Sequence, residues 1–202
     1  MKSFCLTVIA LAILSPTFAA QAGSDRTSGL YPTSIDYRNG QMGFEGTCGS
    51  KSHKLELHDV LDKPYIDLTH RAQKQRISKA LLFGFHGCDG YDYRFASNLE
   101  YRIVEEREAY VYLRETYRAK LGTVSRYYFS AGPDGQLLPL TAANLKQAFP
   151  QNQILRASLD LTLDTHQKLE QYDKDHEMFE VNYLLKASHA QGLDKSQTTT
   201  MP

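Results

Sequence analysis

The feature that constrains this chain most is a change of period near Pro139. Before it, short runs rich in Tyr, Val, Ile and Leu alternate with polar residues, the two-residue period of half-buried strands. Runs at 54–60, 65–69, 77–85, 91–95, 99–105, 108–115 and 124–130 predict about seven short strands, spaced as in an antiparallel meander. Gly132-Pro133-Asp134-Gly135 closes the last of them. After Pro139 the spacing is helical. Thr141 stands at an N-cap, with Leu140 and Leu145 placed as a hydrophobic staple, and the helix must stop at Phe149-Pro150. A second helix starts near Asn152, with Leu155 and Leu159 on one face. Asp164 and Gln167 have capping-box spacing and predict a third. Its stripe, Leu169, Tyr172, His176, Phe179 and Tyr183, runs to about Ala187. Strands followed by helices predict an α+β fold: an antiparallel β-rich N-terminal part covered by C-terminal helices.

The ends differ in character from this body. Residues 1–22 carry Lys2, an apolar run from Phe4 to Leu14, a Ser15-Pro16 break and Ala20-Gln21-Ala22, the order of a secretory signal peptide cleaved before Gly23. The run is too short to remain as a membrane span, and no later run is longer, so no stable membrane insertion is expected after cleavage. Residues 23–30 read as a flexible leader, 31–189 as one domain and 190–202 as a flexible tail. Export to the periplasm or beyond is the expected localisation.

Export gives the cysteines a meaning. Removing Cys5 with the signal leaves Cys48 and Cys88, and two thiols in an oxidising compartment predict one disulfide. Closing that loop restricts the unfolded chain by roughly 4 kcal/mol in the entropy model.

The chain balances 23 Lys and Arg against 23 Asp and Glu, which argues against nucleic acid as a partner. Its later residues carry a further signal. Tyr127-Tyr128-Phe129-Ser130, then Pro139-Leu140-Thr141, Asn144-Leu145-Lys146 and Phe149-Pro150, then Tyr172-Asp173 and Val181-Asn182-Tyr183-Leu184-Leu185, resemble a pattern in uncharacterised exported bacterial proteins. A weaker echo lies in Gly84 and Tyr93-Arg94-Phe95. The resemblance covers about the last third of the chain and implies export and the strand-then-helix order; it implies no site.

Signatures of catalysis are missing: there is no G-x-S-x-G elbow, P-loop, H-E-x-x-H or dinucleotide glycine pattern. No cofactor is expected. Seven histidines include no helical i, i+4 pair. His166, Glu170, Asp173 and Glu177 would share a helix face, which reads as a solvated acidic face rather than a metal site. The segment 84–95 is the most unusual. It puts His86, Asp89 and Asp92 beside Cys88, with Tyr91 and Tyr93 alternating along the following strand. One reading is a hairpin turn at Asp89-Gly90; the other is a polar ligand pocket or an acid–base pair. A basic cluster holds Arg71, Lys74, Arg76 and Lys79 on a predicted hairpin end, where a charged partner would meet it.

These features predict an exported, non-catalytic protein that binds an envelope protein or a surface glycan. The candidate binding residues are Arg71, Lys74, Arg76, Lys79, His86, Tyr91 and Tyr93. The alternative is a small periplasmic hydrolase using His86 with Asp89 or Asp92.

Overall fold

The computed structural model describes residues 26–58, 62–164 and 168–198, so residues 1–22, expected to be a signal segment, lie outside the described residues. The alternating segments lie in one eight-stranded antiparallel sheet and a separate three-stranded one, except that the strand expected at 77–85 is broken by a 3₁₀ turn at Lys79–Leu81. The large sheet has the order β11-β10-β9-β8-β7-β6-β1-β2. Its meander is β6 (Gly84–His86), β7 (Asp92–Ala96), β8 (Leu99–Glu106), β9 (Tyr110–Arg118), β10 (Gly122–Ser130) and β11 (Leu138–Pro139). Two earlier strands, β1 (Thr27–Tyr31) and β2 (Gly43–Thr47), add to the β6 side. Between β2 and β6 the chain leaves the sheet to make the antiparallel insert β3 (His53–Glu56), β4 (Tyr65–His70) and β5 (Gln73–Ser78).

Thr27–Tyr31 corrects the expectation of a flexible leader through residue 30. This stretch is an interior strand, because Leu30 is fully buried and Ser28 bonds to a buried histidine. Glycine at 84 is also structural: a Cβ there would sit 1.8 Å from the Tyr93 carbonyl oxygen, so only glycine lets β6 and β7 approach this closely.

Strand register defines the two faces of the sheet. Leu30, Phe85, Tyr93, Arg102, Leu113 and Tyr127 lie directly opposite one another across β1, β6, β7, β8, β9 and β10, so they form one row on one face. The insert covers one end of this row, with Ile66 and Leu68 packing on Leu30, Phe85 and Phe95. The C-terminal helices cover the other end. These are α2 (Ala142–Ala148), α3 (Gln153–Asp164) and α4 (Glu180–Thr198), and Leu145, Leu155, Leu159, Val181 and Leu185 pack on Val111 and Phe129. The middle of the row lies between the two covers. On the opposite face, α1 (Ser34–Arg38) lays Tyr37 against Tyr31 and Phe83, with ring centroids 5.1 and 5.0 Å apart.

Helices α2 and α3 start where their residues specify. Thr141 accepts from the Asn144 N–H, α2 ends at Ala148 before Phe149-Pro150, and the Asn152 side chain accepts from the Leu155 N–H. The predicted third helix is corrected over its first half. Residues 172–179 form a small hairpin, β12 (Tyr172–Asp173) and β13 (Met178–Phe179), and α4 begins only at Glu180. Asp173 is the cause. Its carboxylate accepts from the N–H groups of Asp175 and His176 and from the His176 ring, which closes a turn instead of a helical one. The acidic helix face through His166, Glu170, Asp173 and Glu177 therefore does not form; His166 itself is outside the described residues. Helix α4 runs to Thr198, across the boundary expected at 190, and Asn182 pins it to the β8–β9 turn through both backbone groups of Ala109.

Candidate functional site

The uncovered middle of the row is a cleft. One part of it, about 780 Å³, lies between the insert and the large sheet. Phe85 and Tyr93 make an aromatic wall, their rings stacked at 4.7 Å and nearly parallel, and Leu55 and Leu57 of the insert face them. Lys51, Lys54, Asp89 and Glu100 supply charge around the opening, and the backbone of Cys88 adjoins it. A continuation of about 670 Å³ runs over Arg102 and Leu113 to Tyr117. The two parts share Tyr93 and Glu100, so they form one groove along the sheet.

Local chemistry holds this groove open. The sulfurs of Cys48 and Cys88 are 2.07 Å apart, which ties the β2–β3 connection to the β6–β7 turn at the mouth of the cleft. Asp89 accepts from the Tyr93 hydroxyl at 2.5 Å and from the Tyr91 N–H. Burial and that bond push the Tyr93 phenol well above its ordinary pKa, so it stays protonated and keeps donating. At the inner end His53 is wedged between the two sheets. It is 5% exposed, with Nε2 2.9 Å from Ser28 Oγ and Nδ1 3.5 Å from His70 Nδ1. A Cβ at Gly46 would collide with its ring at 2.3 Å.

Burial, and then the neighbouring His70, holds the His53 imidazole below its ordinary pKa of 6.5. The unfolded chain therefore takes up this proton at a pH where the folded chain does not. In that window the unfolded state binds more protons, and stability falls as pH decreases. Thermal unfolding scans from pH 8 down to about 5 should show a declining midpoint that is less steep in His53→Gln. A midpoint whose pH profile the substitution leaves untouched would remove His53 from the account.

The structure separates the residues of the 84–95 segment. Tyr93 and Asp89 face the cleft, whereas His86 and Asp92 do not line it. Tyr91 is half exposed beneath the Arg102 guanidinium, 4.7 Å from its ring centroid. His86 and Asp92 do meet: His86 Nδ1 is 2.8 Å from Asp92 Oδ1, and the same oxygen accepts from the Tyr31 hydroxyl at 2.9 Å. This orders the imidazole as a base-orienting carboxylate would, with no serine hydroxyl or cysteine thiol bonded to it among the described residues. Asp89 takes no part in that pair.

The basic cluster is also divided, and its expected projection needs correction. Lys79 is 1% exposed, with Nζ 2.5 Å from Glu100 Oε1 and 2.9 Å from the Asn98 carbonyl. Arg76 donates twice to Asp67 and lies 3.9 Å over the Tyr65 ring. Sequence reasoning could not separate these two from Arg71 and Lys74, which remain exposed on the β4–β5 turn and edge strand. A further constellation went unforeseen: Glu56, His58 and Asp67 bring a carboxylate, an imidazole and a carboxylate within metal-ligand reach. Lys54 and Arg76 already neutralise those carboxylates, and hydrogen bonds from Arg76 and then His58 hold Asp67 at about 2. No family model, curated protein or solved structure matches the chain.

Proposed function

We propose that this is an exported binding protein that holds a surface glycan in the groove between the insert and the large sheet. The observation that carries this reading is the groove itself. An aromatic wall of Phe85 and Tyr93 on paired strands meets Lys54 and Glu100 from neighbouring strands and Lys51 and Asp89 from the two turns that the disulfide joins. Sugar rings need this mixture, an apolar plane for their C–H faces and fixed polar groups for their hydroxyls. The groove's length along the sheet suits several linked rings. An envelope protein, the other partner class considered, would need a broader face of about 1,000 Å² or more.

Calorimetric titration of the chain from Gly23 onward with oligosaccharides released from the cell envelope tests the reading. Tyr93→Leu keeps apolar bulk against Phe85 but removes the ring, and should weaken binding at least about tenfold. Its unfolding midpoint controls for damage to the fold. Absence of saturable binding, or an affinity indifferent to Tyr93→Leu, would refute it. One observation favours a second reading: the ordered His86–Asp92 pair supports a hydrolase. Hydrolysis of the same oligosaccharides, abolished by His86→Ala in a folded protein, would promote that reading.

A further inference from the structure

We propose that the far end of the β9–β10 hairpin is an arm that docks the protein on an anionic lipid surface. Strand β8 pairs with β9 only between Tyr110 and Leu113, and β11 pairs with β10 only at Tyr128 and Phe129. Between these limits the hairpin continues as a two-stranded ribbon, Arg114–Arg118 against Gly122–Arg126, with no third strand on either side among the described residues. A ribbon of this kind is marginal alone, so surface contact is the natural source of further order.

Its tip is built to present side chains. The Leu121 N–H bonds to the Arg118 carbonyl at 3.0 Å, and Gly122 takes a φ of +71°, which is a three-residue hairpin loop closed by a left-handed glycine. This loop holds Leu121 70% exposed, and Tyr117 just before it is 79% exposed. Around them stand Arg114, Arg118, Lys120 and Arg126, against one acid within the hairpin itself, Glu115. Arg114 and Arg126 are directly opposite across the ribbon, an arrangement that like charges disfavour unless an anion joins them. Arg114 reaches Asp62 at 3.8 Å, while Arg118, Lys120 and Arg126 form no ion pair among the described residues. In a chain of zero net charge this is a concentrated positive end.

The choice of occupant follows from shape. A single hairpin tip buries far less than the ~1,000 Å² that a stable protein complex requires. A lipid surface needs much less: Leu121 enters the acyl boundary, Tyr117 sits at the headgroup level, and the cations gather acidic headgroups. Tyr117 also lines the second part of the groove, so a docked arm sets the groove beside the surface. The inference does not depend on what the groove binds.

Co-sedimentation of the chain from Gly23 onward, which contains every described residue, tests it with vesicles. Binding is expected to vesicles of about 30% phosphatidylglycerol in phosphatidylcholine, and not to pure phosphatidylcholine. It should weaken at least about tenfold when salt rises from about 50 to about 500 mM. Arg118→Glu with Arg126→Glu should abolish it while the unfolding midpoint stays put. Leu121→Trp, in a chain with no other tryptophan, should show a blue-shifted emission on adding the anionic vesicles. Vesicle binding equal in the charge-reversed protein would overturn the proposal. So would saturable binding of soluble polyglutamate without vesicle binding, which would make the arm a docking site for an acidic protein.

Discussion

Glu100→Ala should destabilise the fold by about 3–5 kcal/mol, because it leaves the Lys79 ammonium buried without its counter-charge. Lys79 is 1% exposed and its partner 13%, with only the Asn98 carbonyl as a second acceptor. The ring of Phe95, 5.7 Å from Nζ, compensates little. Lys79→Met should cost less, since it removes the buried charge and leaves Glu100 at the wall of the groove, where water reaches it. The double variant Lys79→Met with Glu100→Leu should be more stable than Glu100→Ala alone. Urea unfolding followed by circular dichroism measures all three. If Glu100→Ala and Lys79→Met cost the same small amount, the pair is solvated and this account of it fails.

The second large effect belongs to the helical cover. Phe129 is fully buried where β10 meets α2, α3 and α4, with the Phe149 ring centroid 6.5 Å away. Phe129→Ala should cost about 3–5 kcal/mol, the transfer of a ring plus the cavity it leaves. Phe179 is the comparison. It is partly buried at the edge of the same cluster, with Tyr127 and Tyr172 rings 5.7 and 5.5 Å away, and its truncation should cost clearly less. Equal losses at the two sites would mean that the hairpin carrying Phe179 is as firmly built into the core as β10.

Within the candidate site, legibility followed the range of the interactions. Tyr93, which lines the cleft, could be picked out as a candidate because its segment is locally unusual, with glycines, acids and tyrosines beside a cysteine. Its partners could not. The cleft arises where the insert packs against the large sheet, and Lys51, Lys54, Leu55 and Glu100 come from three other strands or turns. His53 gave no local signal at all; its role depends on Ser28 and Gly46, brought against it by strand pairing. Asp89 and Asp92 are equivalent partners for His86 in the sequence, and sheet alternation assigns the bond to Asp92.

What the sequence determined by itself is what short-range physics controls. The two-residue alternation gave the antiparallel meander, Thr141 and Asn152 gave the starts of α2 and α3, and Pro150 the end of α2. The apolar positions Leu145, Leu155 and Leu159 were recognisable as core from spacing alone. Tertiary structure decided three things. It made Thr27–Tyr31 a central strand, because that polar, glycine-containing stretch is stabilised by neighbours far along the chain rather than by its own pattern. It turned the first half of the last stripe into a hairpin, because one Asp173 carboxylate outcompeted helical bonds while Leu169 and Met178 still reached the core. And it sorted a run of basic residues into a buried Lys79, a paired Arg76 and exposed neighbours. A charge's effect depends on the counter-charge and solvent around it in three dimensions, and neighbouring letters do not encode those.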